Sequence, residues 1–495
     1  MSDRPATSAA TGLGGRVHVI YTVVVFIVLA SLDNAAIGAI PAMVGPLTSA
    51  FEVGQSAITF LTGAQILVTA IVGVAWGYAG DSRSRKRLLL WGTAIWAGAL
   101  IASTTATTYV AFAAWQLVVA IGLGSIASVG FSVVSDLIAP RRRGLAMSFW
   151  GLSQGVGVLV GGLLASQLAA GSWQAPLRVI GVAGFVFAGL YLFTYDAPRG
   201  FREPELAALA EQGHEYEHTI DRSQLRALAD GRTNRWLILQ GITAQIAYGS
   251  LIWVTLLYQE KVLAQGYSEA TATKVGGLFA AMFTVGALFS ILAGHIGDRI
   301  QRRTLRGRAI VSAVGILGAI PFFLVFFWVP LRGLEVTEGA DTITLAGEVL
   351  GSLVTNPWAL LAFLSGVAAI ALTSADSPNW FALISDVNLP EHRGTVFGVG
   401  NFTNGVGRSV GSALTGPVAQ ALERSLPAPY NWALGLTVFQ LFFLPTGWCY
   451  WKASQTCPSD IEDVRAIMRG RAASAGAGTV RSPDTGGTAD DAEEG

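Results

Sequence analysis

The sequence predicts an all-α integral membrane protein with 12 transmembrane helices in two six-helix bundles. Three observations predict this class: an apolar composition, a series of long apolar runs, and motifs that repeat between the two halves of the chain. The 495-residue chain is 52% hydrophobic and only 13% charged, which is too apolar for a soluble globular protein of this length. Its mean hydropathy of +0.52 agrees with this class. The formal net charge of zero gives no reason to expect a nucleic-acid partner.

Twelve runs of the chain are long and apolar enough to cross a bilayer, whose hydrocarbon core of about 30 Å needs about 20 helical residues at about 1.5 Å each. The first run is too long for the core of a signal peptide, so we expect it to be retained as a helix. The predicted spans are residues 17–40, 57–79, 88–106, 109–138, 145–169, 177–196, 236–258, 274–297, 308–330, 357–387, 394–421 and 431–453.

The distribution of basic residues predicts the orientation of these spans. Of the 32 lysines and arginines, one, Arg408, lies within a span, and only five lie on the side shared by the loops after the odd-numbered spans. These five are Arg178, Lys261, Lys274, Arg332 and Arg424. Because positively charged loops tend to stay in the cytoplasm, we expect a multi-pass protein of the cell membrane with both termini cytoplasmic.

Polar segments divide the chain into two bundles. A charged stretch at residues 197–235 predicts a cytoplasmic linker between a bundle at 17–196 and a bundle at 236–453. Residues 1–16 form the predicted cytoplasmic N-terminus, and residues 454–495 form the cytoplasmic tail. We expect this tail to be disordered from about residue 471, because its Gly, Ala, Ser, Thr and Asp content cannot build an apolar core.

A long loop is predicted at residues 331–356, on the outer side of the second bundle, where the first bundle has almost no loop. Its segments LEVT and TITL alternate in polarity around Glu338-Gly339-Ala340-Asp341, as the strands of a short hairpin do. A hairpin and an ordinary flexible loop both fit this pattern, and the sequence leaves the two open.

The loops after the second and the eighth span carry the same motif, Gly-x-x-x-Asp with a basic residue four positions further on. A second motif repeats after span four and at the end of span ten, where SDLIAPRRRG and SDVNLPEHRG share Ser, Asp, Pro, Arg and Gly. The matching positions are Gly77, Asp81, Arg85 and Arg143 in the first half and Gly294, Asp298, Arg302 and Arg393 in the second. Two halves in the same order are parallel repeats, an arrangement associated with a central substrate site and alternating access.

The repeated aspartates suggest a gate. A carboxylate at a helix end beside a basic loop can accept hydrogen bonds and pair with arginine, and such contacts can close the cytoplasmic side. The expected pairs are Asp81 with Arg85 or Arg143, and Asp298 with Arg302 or Arg393. Positive charge that only sets the topology would explain the arginines, but it would not explain the repeated Gly-x-x-x-Asp spacing.

The first of these motifs resembles motif A of the major facilitator superfamily, and the match covers both halves. Within that superfamily the chain resembles the spinster-like transporters, whose characterised members carry lysolipids and sphingoid lipids. The stretches that support this resemblance are WQAPLRV at residues 173–179, PRG at 198–200 and NWFALISD at 379–386. The resemblance implies the superfamily fold, with pseudo-two-fold symmetry between the bundles, and a monomer.

The chain also departs from the spinster-like pattern. Gln116 and Leu123 stand where these proteins usually pair an arginine with a glutamate, and Asn34 follows Asp33 where they usually carry an arginine. The aspartate of the first span is therefore kept without its usual partners.

Three ionisable residues lie well inside predicted spans: Asp33, Asp376 and Arg408. A charge in the hydrocarbon core costs at least about 2.5–3.5 kcal/mol, so each should face a cavity or a partner. A buried carboxylate can take up a proton on one side and release it on the other. Our hypothesis is that Asp33 couples protons to transport, while Asp376 and Arg408 form a charge pair. The alternatives are that Asp33 only hydrogen-bonds Asn34 or a neighbouring helix, and that the pair is only structural.

Several polar or aromatic groups in otherwise apolar spans are candidates for the walls of a substrate cavity. They are Gln65, Gln116, Gln154, Gln245, Trp380, Asn401 and Asn404. Hydrogen bonding between neighbouring helices is the alternative for each of them.

These observations predict a secondary active transporter that works by alternating access. We expect proton-coupled export (efflux) of an amphiphilic or lipophilic small molecule; proton-coupled uptake of an organic anion and a non-transporting membrane receptor or sensor are the alternatives. The expected partners are the small-molecule substrate, protons and the lipid bilayer, with no cofactor and no nucleic acid. HEYEH at residues 214–218 matches a zinc-protease pattern, but it lies in the predicted linker, so we expect neither a metal site nor an enzyme.

Overall fold

The computed structural model describes residues 13–130, 143–169, 171–194 and 231–478, and every regular element in these ranges is a helix. We number as α1 to α12 the helical segments that coincide with the predicted spans. The first half contains α1 (Leu13–Ala42), α2 (Gln55–Ser82), α3 (Arg85–Ser103), α4 (Tyr109–Ser125, extended by a π-helical turn at Ile126–Gly130), α5 (Arg143–Leu168) and α6 (Gln174–Tyr191). The second half contains α7 (Arg232–Leu251 and Val254–Leu263), α8 (Glu269–Phe283, a 3₁₀ segment at Thr284–Phe289, and Ser290–Gln301), α9 (Gly307–Trp328), α10 (Pro357–Thr373 and Asp376–Val387), α11 (Pro390–Leu422) and α12 (Tyr430–Gln440 and Phe443–Gly478).

Nine helices in the described part of the chain are long and apolar enough to cross a membrane, namely α1, α2, α4, α6, α7, α8, α9, α10 and α12. The other three helices, α3, α5 and α11, coincide with the predicted spans 88–106, 145–169 and 394–421. The prediction of an all-α membrane protein is confirmed. Helix α12 continues to Gly478, past the point where we predicted disorder to begin. Most of the predicted linker and the end of the tail lie outside the described residues.

Side-chain caps fix where several helices begin. Thr108 accepts a hydrogen bond from the Ala111 amide at 3.3 Å at the start of α4. Asn356 accepts hydrogen bonds from the amides of Trp358 at 2.9 Å and Ala359 at 3.3 Å at the start of α10, with Pro357 in the first turn. These contacts satisfy amides that have no partner inside their own helix.

The predicted outer loop contains a helix rather than a hairpin. We call Thr342–Thr355 the surface helix. Asp341 caps it by accepting hydrogen bonds from the amides of Ile343 at 3.1 Å and Thr344 at 3.4 Å. Leu345, Val349 and Ser352 are buried at helical spacing. The helical spacing of these buried residues and the Asp341 cap favour a helix over the strand that the alternation in TITL suggests.

The surface helix marks one end of the molecule. We call this the surface-helix end; it carries the loops after the odd-numbered helices. The opposite end, with the repeated motif loops, is the motif end. At the surface-helix end the two halves touch. Gln55 Nε2 donates to Glu260 Oε1 at 2.8 Å, and Trp432 Nε1 donates to Gln55 Oε1 at 3.1 Å. Gln259 Nε2 donates to the Ala42 carbonyl at 3.1 Å. These contacts join the two halves at that end.

Glycines bring equivalent helices together in the two halves. A methyl group at Gly161 of α5 would lie 2.1 Å from the Ala35 carbonyl oxygen of α1, and one at Gly411 of α11 would lie 1.9 Å from the Ile246 carbonyl oxygen of α7. Gly161 and Gly411 occupy matching positions of the internal repeat. The repeat therefore specifies the same close helix contact twice.

Gly411→Ala tests this contact, because the added methyl group has no room unless α7 and α11 separate. We expect the free energy of unfolding to fall by about 1–3 kcal/mol, seen as a lower Tm in detergent. Gly398→Ala on the same helix is the matched control, since no heavy atom lies within 4 Å of its added methyl group. Equal Tm values for the two variants would contradict the packing described here.

Candidate transport site

Asp33 lies on the face of α1 that points into the first bundle. The side of α1 with Ser31 and Ala35 packs against α5. At about 100° per residue, Asp33 lies on the other side of the helix, together with the fully buried Leu29 and Ala36. Leu29 belongs to an apolar cluster that includes residues of α3, α4 and α6. Apolar groups therefore surround the carboxylate along its own face of α1.

The Asp33 carboxylate has no hydrogen-bond partner in the described part of the chain. The residue is 4% exposed, and both carboxylate oxygens are buried and unpartnered. The alternative of a hydrogen bond with Asn34 is not formed, because the Asn34 amide donates to the Ala30 carbonyl at 2.9 Å. An aspartate in this state is rare, since a buried charge is normally paired or bound by several donors.

Three other buried groups of the first bundle also have a polar atom without a hydrogen-bond partner among the described residues. They are Thr93 Oγ1 and Trp96 Nε1 on α3 and Ser125 Oγ on α4. The sequence analysis did not select them; their only signal is a polar group within an apolar span. Together with Asp33, they are the residues of the first half, within the described chain, that have a buried polar side-chain atom without a hydrogen bond.

Asp376 is the opposite case. It is 7% exposed and accepts hydrogen bonds from Gln240 Nε2 at 3.2 Å, from the Tyr248 hydroxyl at 3.3 Å and from the Tyr450 hydroxyl. The Tyr248 hydroxyl is also 3.2 Å from the Thr373 carbonyl, which the interruption of α10 leaves without a helical partner. Asp376 thus ties α10 to α7 and α12 at the break between the two segments of α10.

The charge pair that we predicted between Asp376 and Arg408 is not formed in the described structure. The reason is the direction of each residue. Asp376 faces α7 and α12 inside the second bundle, whereas Arg408 lies on α11 between Gly407, which contacts α7, and Ser409, whose hydroxyl donates to the Gly63 carbonyl of α2 at 2.8 Å. Arg408 therefore lies along the groove where the two halves meet.

A polar stripe on α11 surrounds Arg408. Asn404, Arg408 and Ser412 follow one another at four-residue spacing, so they lie one above another on the helix. Asn404 Oδ1, Arg408 Nε and Ser412 Oγ are each buried without a hydrogen-bond partner among the described residues. Asn401, one turn toward the motif end, is exposed. The stripe places the Arg408 guanidinium, whose Nε has no hydrogen-bond partner among the described residues, between α7 of its own half and α2 of the other half.

The predicted cavity residues divide into two groups. Gln65 and Gln116 are buried and bond to each other at 3.4 Å, and Gln116 also donates to Ser103 at 3.3 Å. Trp380 is 5% exposed and donates to the Leu237 carbonyl at 3.4 Å. For these three residues the structure favours the alternative of helix-to-helix hydrogen bonding.

The remaining cavity candidates are Gln154, Gln245, Asn401 and Asn404. Gln245 is half-buried beside Gly407 at the contact between α7 and α11. With Asn401 and Asn404 it stays a candidate for the cavity wall near Arg408. The side chain of Gln154 lies outside the described residues.

The motif end of the second half contains an ion-pair cluster that includes one predicted residue and two others. Asp298 pairs with Arg308 at 2.8 Å, and Arg308 also pairs with Asp386. The expected partner Arg302 forms no ion pair with Asp298 in the described chain. Arg302 follows the last residue of α8, whereas Arg308 lies in the first turn of α9 and reaches the carboxylates on α8 and α10. The position of Asp386 in the repeated Ser-Asp motif was the signal that could have identified it.

The first-half gate cannot be compared in the same way, because the side chains of Asp81 and Arg143 lie outside the described residues and Arg85 is buried at the start of α3. The side chain of Arg393, the other expected partner of Asp298 in the second half, also lies outside the described residues. The motif glycines do match. A methyl group at Gly77 would lie 3.6 Å from Ser128 Cβ of α4, and one at Gly294 would lie 3.5 Å from Pro378 Cβ of α10. Motif A thus packs against equivalent helices in both halves.

The two buried aspartates should respond differently to Asp→Asn substitution. Asp376→Asn weakens charge-assisted hydrogen bonds and turns an amide donor toward existing donors, so we expect it to lower the free energy of unfolding by about 1–3 kcal/mol. Asp33→Asn removes no hydrogen bond and should leave Tm unchanged or raise it. Thermal unfolding of both variants in the same detergent measures this difference, and a larger loss for Asp33→Asn would contradict the assignment of partners.

Comparison with known proteins agrees with this architecture. The Sphingosine-1-phosphate transporter SPNS2 of Danio rerio is 26% identical over 364 residues, covering 68% of this chain and 70% of the relative. Protein spinster homolog 3 of Danio rerio is 26% identical over 304 residues, covering 58% of this chain and only 57% of the relative.

A solved structure has the same fold. The crystal structure of a bacterial homolog to the human lysosomal transporter Spinster, in an inward-facing and unoccupied conformation, aligns with a TM-score of 0.67 at 18% identity, over 90% of this chain and 98% of that chain. The family model of the Major Facilitator Superfamily matches residues 23–412. The chain therefore belongs to the Major Facilitator Superfamily, as a spinster-like member of this family of transporters.

Proposed function

We propose that this transporter works by alternating access as a proton-coupled exporter of an amphiphilic or lipophilic small molecule, with Asp33 as the group that carries the proton. The observation that carries the proposal is the burial of both Asp33 carboxylate oxygens without a partner among the described residues. An ionised carboxylate in such a place is costly, and a bound proton removes most of that cost.

Proton coupling needs a second condition, in which the same carboxylate releases its proton. Movement of the two halves that brings water or a cation to Asp33 would stabilise the ionised form. The proton then enters from one side and leaves on the other, because the halves expose the site to one side at a time. The absence of a fixed cationic partner for Asp33 in the described structure supports this cycle, since a permanent ion pair would hold the carboxylate ionised throughout.

The contacts between the halves support one conformation of this cycle. Gln55 with Glu260 and Trp432, and Gln259 with the Ala42 carbonyl, join the halves at the surface-helix end. If the basic motif end is cytoplasmic, as the charge distribution predicts, this conformation is closed to the outside. The orientation with both termini cytoplasmic in the cell membrane, and a monomeric state, are parts of this proposal.

The substrate class is inferred from the relatives and from Arg408. The relative from Danio rerio is named for sphingosine-1-phosphate, a molecule with an apolar chain and an anionic head. Arg408, which forms no ion pair among the described residues, fits a second candidate function, uptake of an organic anion, because arginine binds carboxylate and phosphate groups through parallel hydrogen bonds. The two candidates differ in direction and in whether an apolar chain is required.

Asp33→Asn in proteoliposomes tests proton coupling. We expect the variant to lose accumulation driven by a pH gradient while it keeps exchange of labelled for unlabelled substrate, because exchange needs no net proton movement. Asp341→Asn, at the exposed cap of the surface helix where asparagine caps equally well, is the matched control and should behave as wild type. Wild-type dependence on the pH gradient in Asp33→Asn would overturn the proton-site assignment.

Cross-linking Gln55→Cys to Glu260→Cys tests alternating access. The two native side chains meet at 2.8 Å across the halves, so a short bis-methanethiosulfonate, which forms a disulfide with each cysteine, should hold the surface-helix end closed and stop transport. Cys449 and Cys457 are free and buried and would be replaced in the background protein. Reductive release of the cross-link should restore transport, and each single-cysteine variant should be unaffected by the reagent. Unchanged transport by the cross-linked protein would exclude opening at this end.

A further inference from the structure

The surface helix presents an apolar face that is not covered by described residues. Ile343, Leu350 and Val354 lie along this face and are 83%, 57% and 91% exposed. The other side of the helix, with Leu345 and Val349, is buried against α8 and α10. A helix of a single chain that exposes three large aliphatic groups in one line has a partner surface of some kind.

Three polar residues of the surface helix form another side. Thr344, Glu348 and Thr355 lie one above another at helical spacing. The Glu348 carboxylate accepts hydrogen bonds from the Thr337 amide at 2.8 Å and the Thr337 hydroxyl at 2.6 Å, so the only charge on this helix is bound within the protein. The surface helix carries no lysine or arginine. Its outward apolar face therefore lies beside a polar face that has no cationic group.

The apolar face of the surface helix continues into a transmembrane helix. Helix α10 begins at Pro357, and its first turns expose Trp358, Leu361 and Leu364 by 39%, 41% and 54%. Large apolar groups exposed on a membrane-crossing helix face lipid. The apolar face of the surface helix is therefore followed along the chain by the lipid-facing surface of the same bundle.

Two aromatic residues at the surface-helix end indicate where the membrane–water boundary lies. The Trp328 ring, at the end of α9, stacks on the Tyr430 ring, at the start of α12, with centroids 6.3 Å apart. Both side chains are partly exposed, at 38% and 37%. Trp and Tyr are enriched at the membrane–water boundary. The surface helix begins and ends in the loop that follows α9, so it lies close to this boundary along the chain.

We propose that the surface helix is an interfacial membrane helix, with Ile343, Leu350 and Val354 inserted among the acyl chains of the adjacent leaflet and Thr344 and Thr355 facing water. The contact is with a lipid surface and depends on apolar burial, because the helix has no cationic group for anionic headgroups. This inference goes beyond the proposed transport function and does not depend on it.

Fluorescent labelling in nanodiscs tests the lipid contact. Val354→Cys and Thr355→Cys place an environment-sensitive dye on neighbouring residues of the apolar and polar sides, in a background without the native cysteines. We expect the dye at position 354 to emit at shorter wavelength and to be quenched by nitroxide groups on acyl chains, while the dye at 355 is quenched by aqueous iodide. The result should be the same in phosphatidylcholine and in phosphatidylcholine with phosphatidylglycerol. Ile343→Cys repeats the test if Val354→Cys does not fold.

Other occupants of the face give different results. Equal quenching of both positions by iodide would place the face in water and overturn the proposal. Protection of position 354 from both quenchers, with cross-linking between copies of the Val354→Cys variant, would place a second copy there and also overturn it. Lipid quenching that appears only with phosphatidylglycerol would contradict a contact based on apolar burial alone.

Discussion

Within the hydrocarbon core of a membrane, backbone N–H and C=O groups must bond inside the protein, because no water is there to take their place. A continuous helix pairs these groups within itself. Where a helix is interrupted, side chains must bond the backbone groups that are left unpaired. At the break in α10, the Tyr248 hydroxyl lies 3.2 Å from the Thr373 carbonyl, and the Asn379 amide donates to the Ala375 carbonyl at 2.8 Å. Asp376 organises this break by accepting hydrogen bonds from three side chains on neighbouring helices. A carboxylate with so many donors stabilises one arrangement of α7, α10 and α12.

Asp33, on α1 of the other half, has no such donors. It is buried as deeply as Asp376, yet neither of its oxygens has a hydrogen-bond partner among the described residues. A buried carboxylate without a partner is stabilised by binding a proton, or by a movement of the helices that brings water or a cation to it. The contrast supports a structural role for Asp376, and it supports the proposal that the charge state of Asp33 follows the conformation. Arg408, whose Nε has no hydrogen-bond partner among the described residues, is the cation that we propose for contact with a substrate.

Much of this architecture could be predicted from the sequence, because long apolar runs and repeated motifs reflect constraints that act locally. The repeat that places Gly161 opposite Gly411 is visible in the sequence, and both glycines make the same close helix contact in the structure. Side-chain partners inside the bundles could not be predicted in the same way. Asp376 and Arg408 were assigned to each other from charge and depth alone, and the rotation of α11 about its axis, set by close contacts with α2 and α7, sends Arg408 elsewhere. Arg308 was missed because its contact with Asp298 and Asp386 depends on how α8, α9 and α10 meet at the motif end.

The central claim is that Asp33 binds and releases a proton as the transporter changes conformation. Infrared difference spectroscopy measures this directly, through the carbonyl stretch of a protonated carboxyl group when substrate is added to the reconstituted protein. The account predicts a protonated-carboxyl band that changes with substrate, persists in Asp376→Asn and is absent in Asp33→Asn. A band that is unchanged in Asp33→Asn, or lost only in Asp376→Asn, would contradict it.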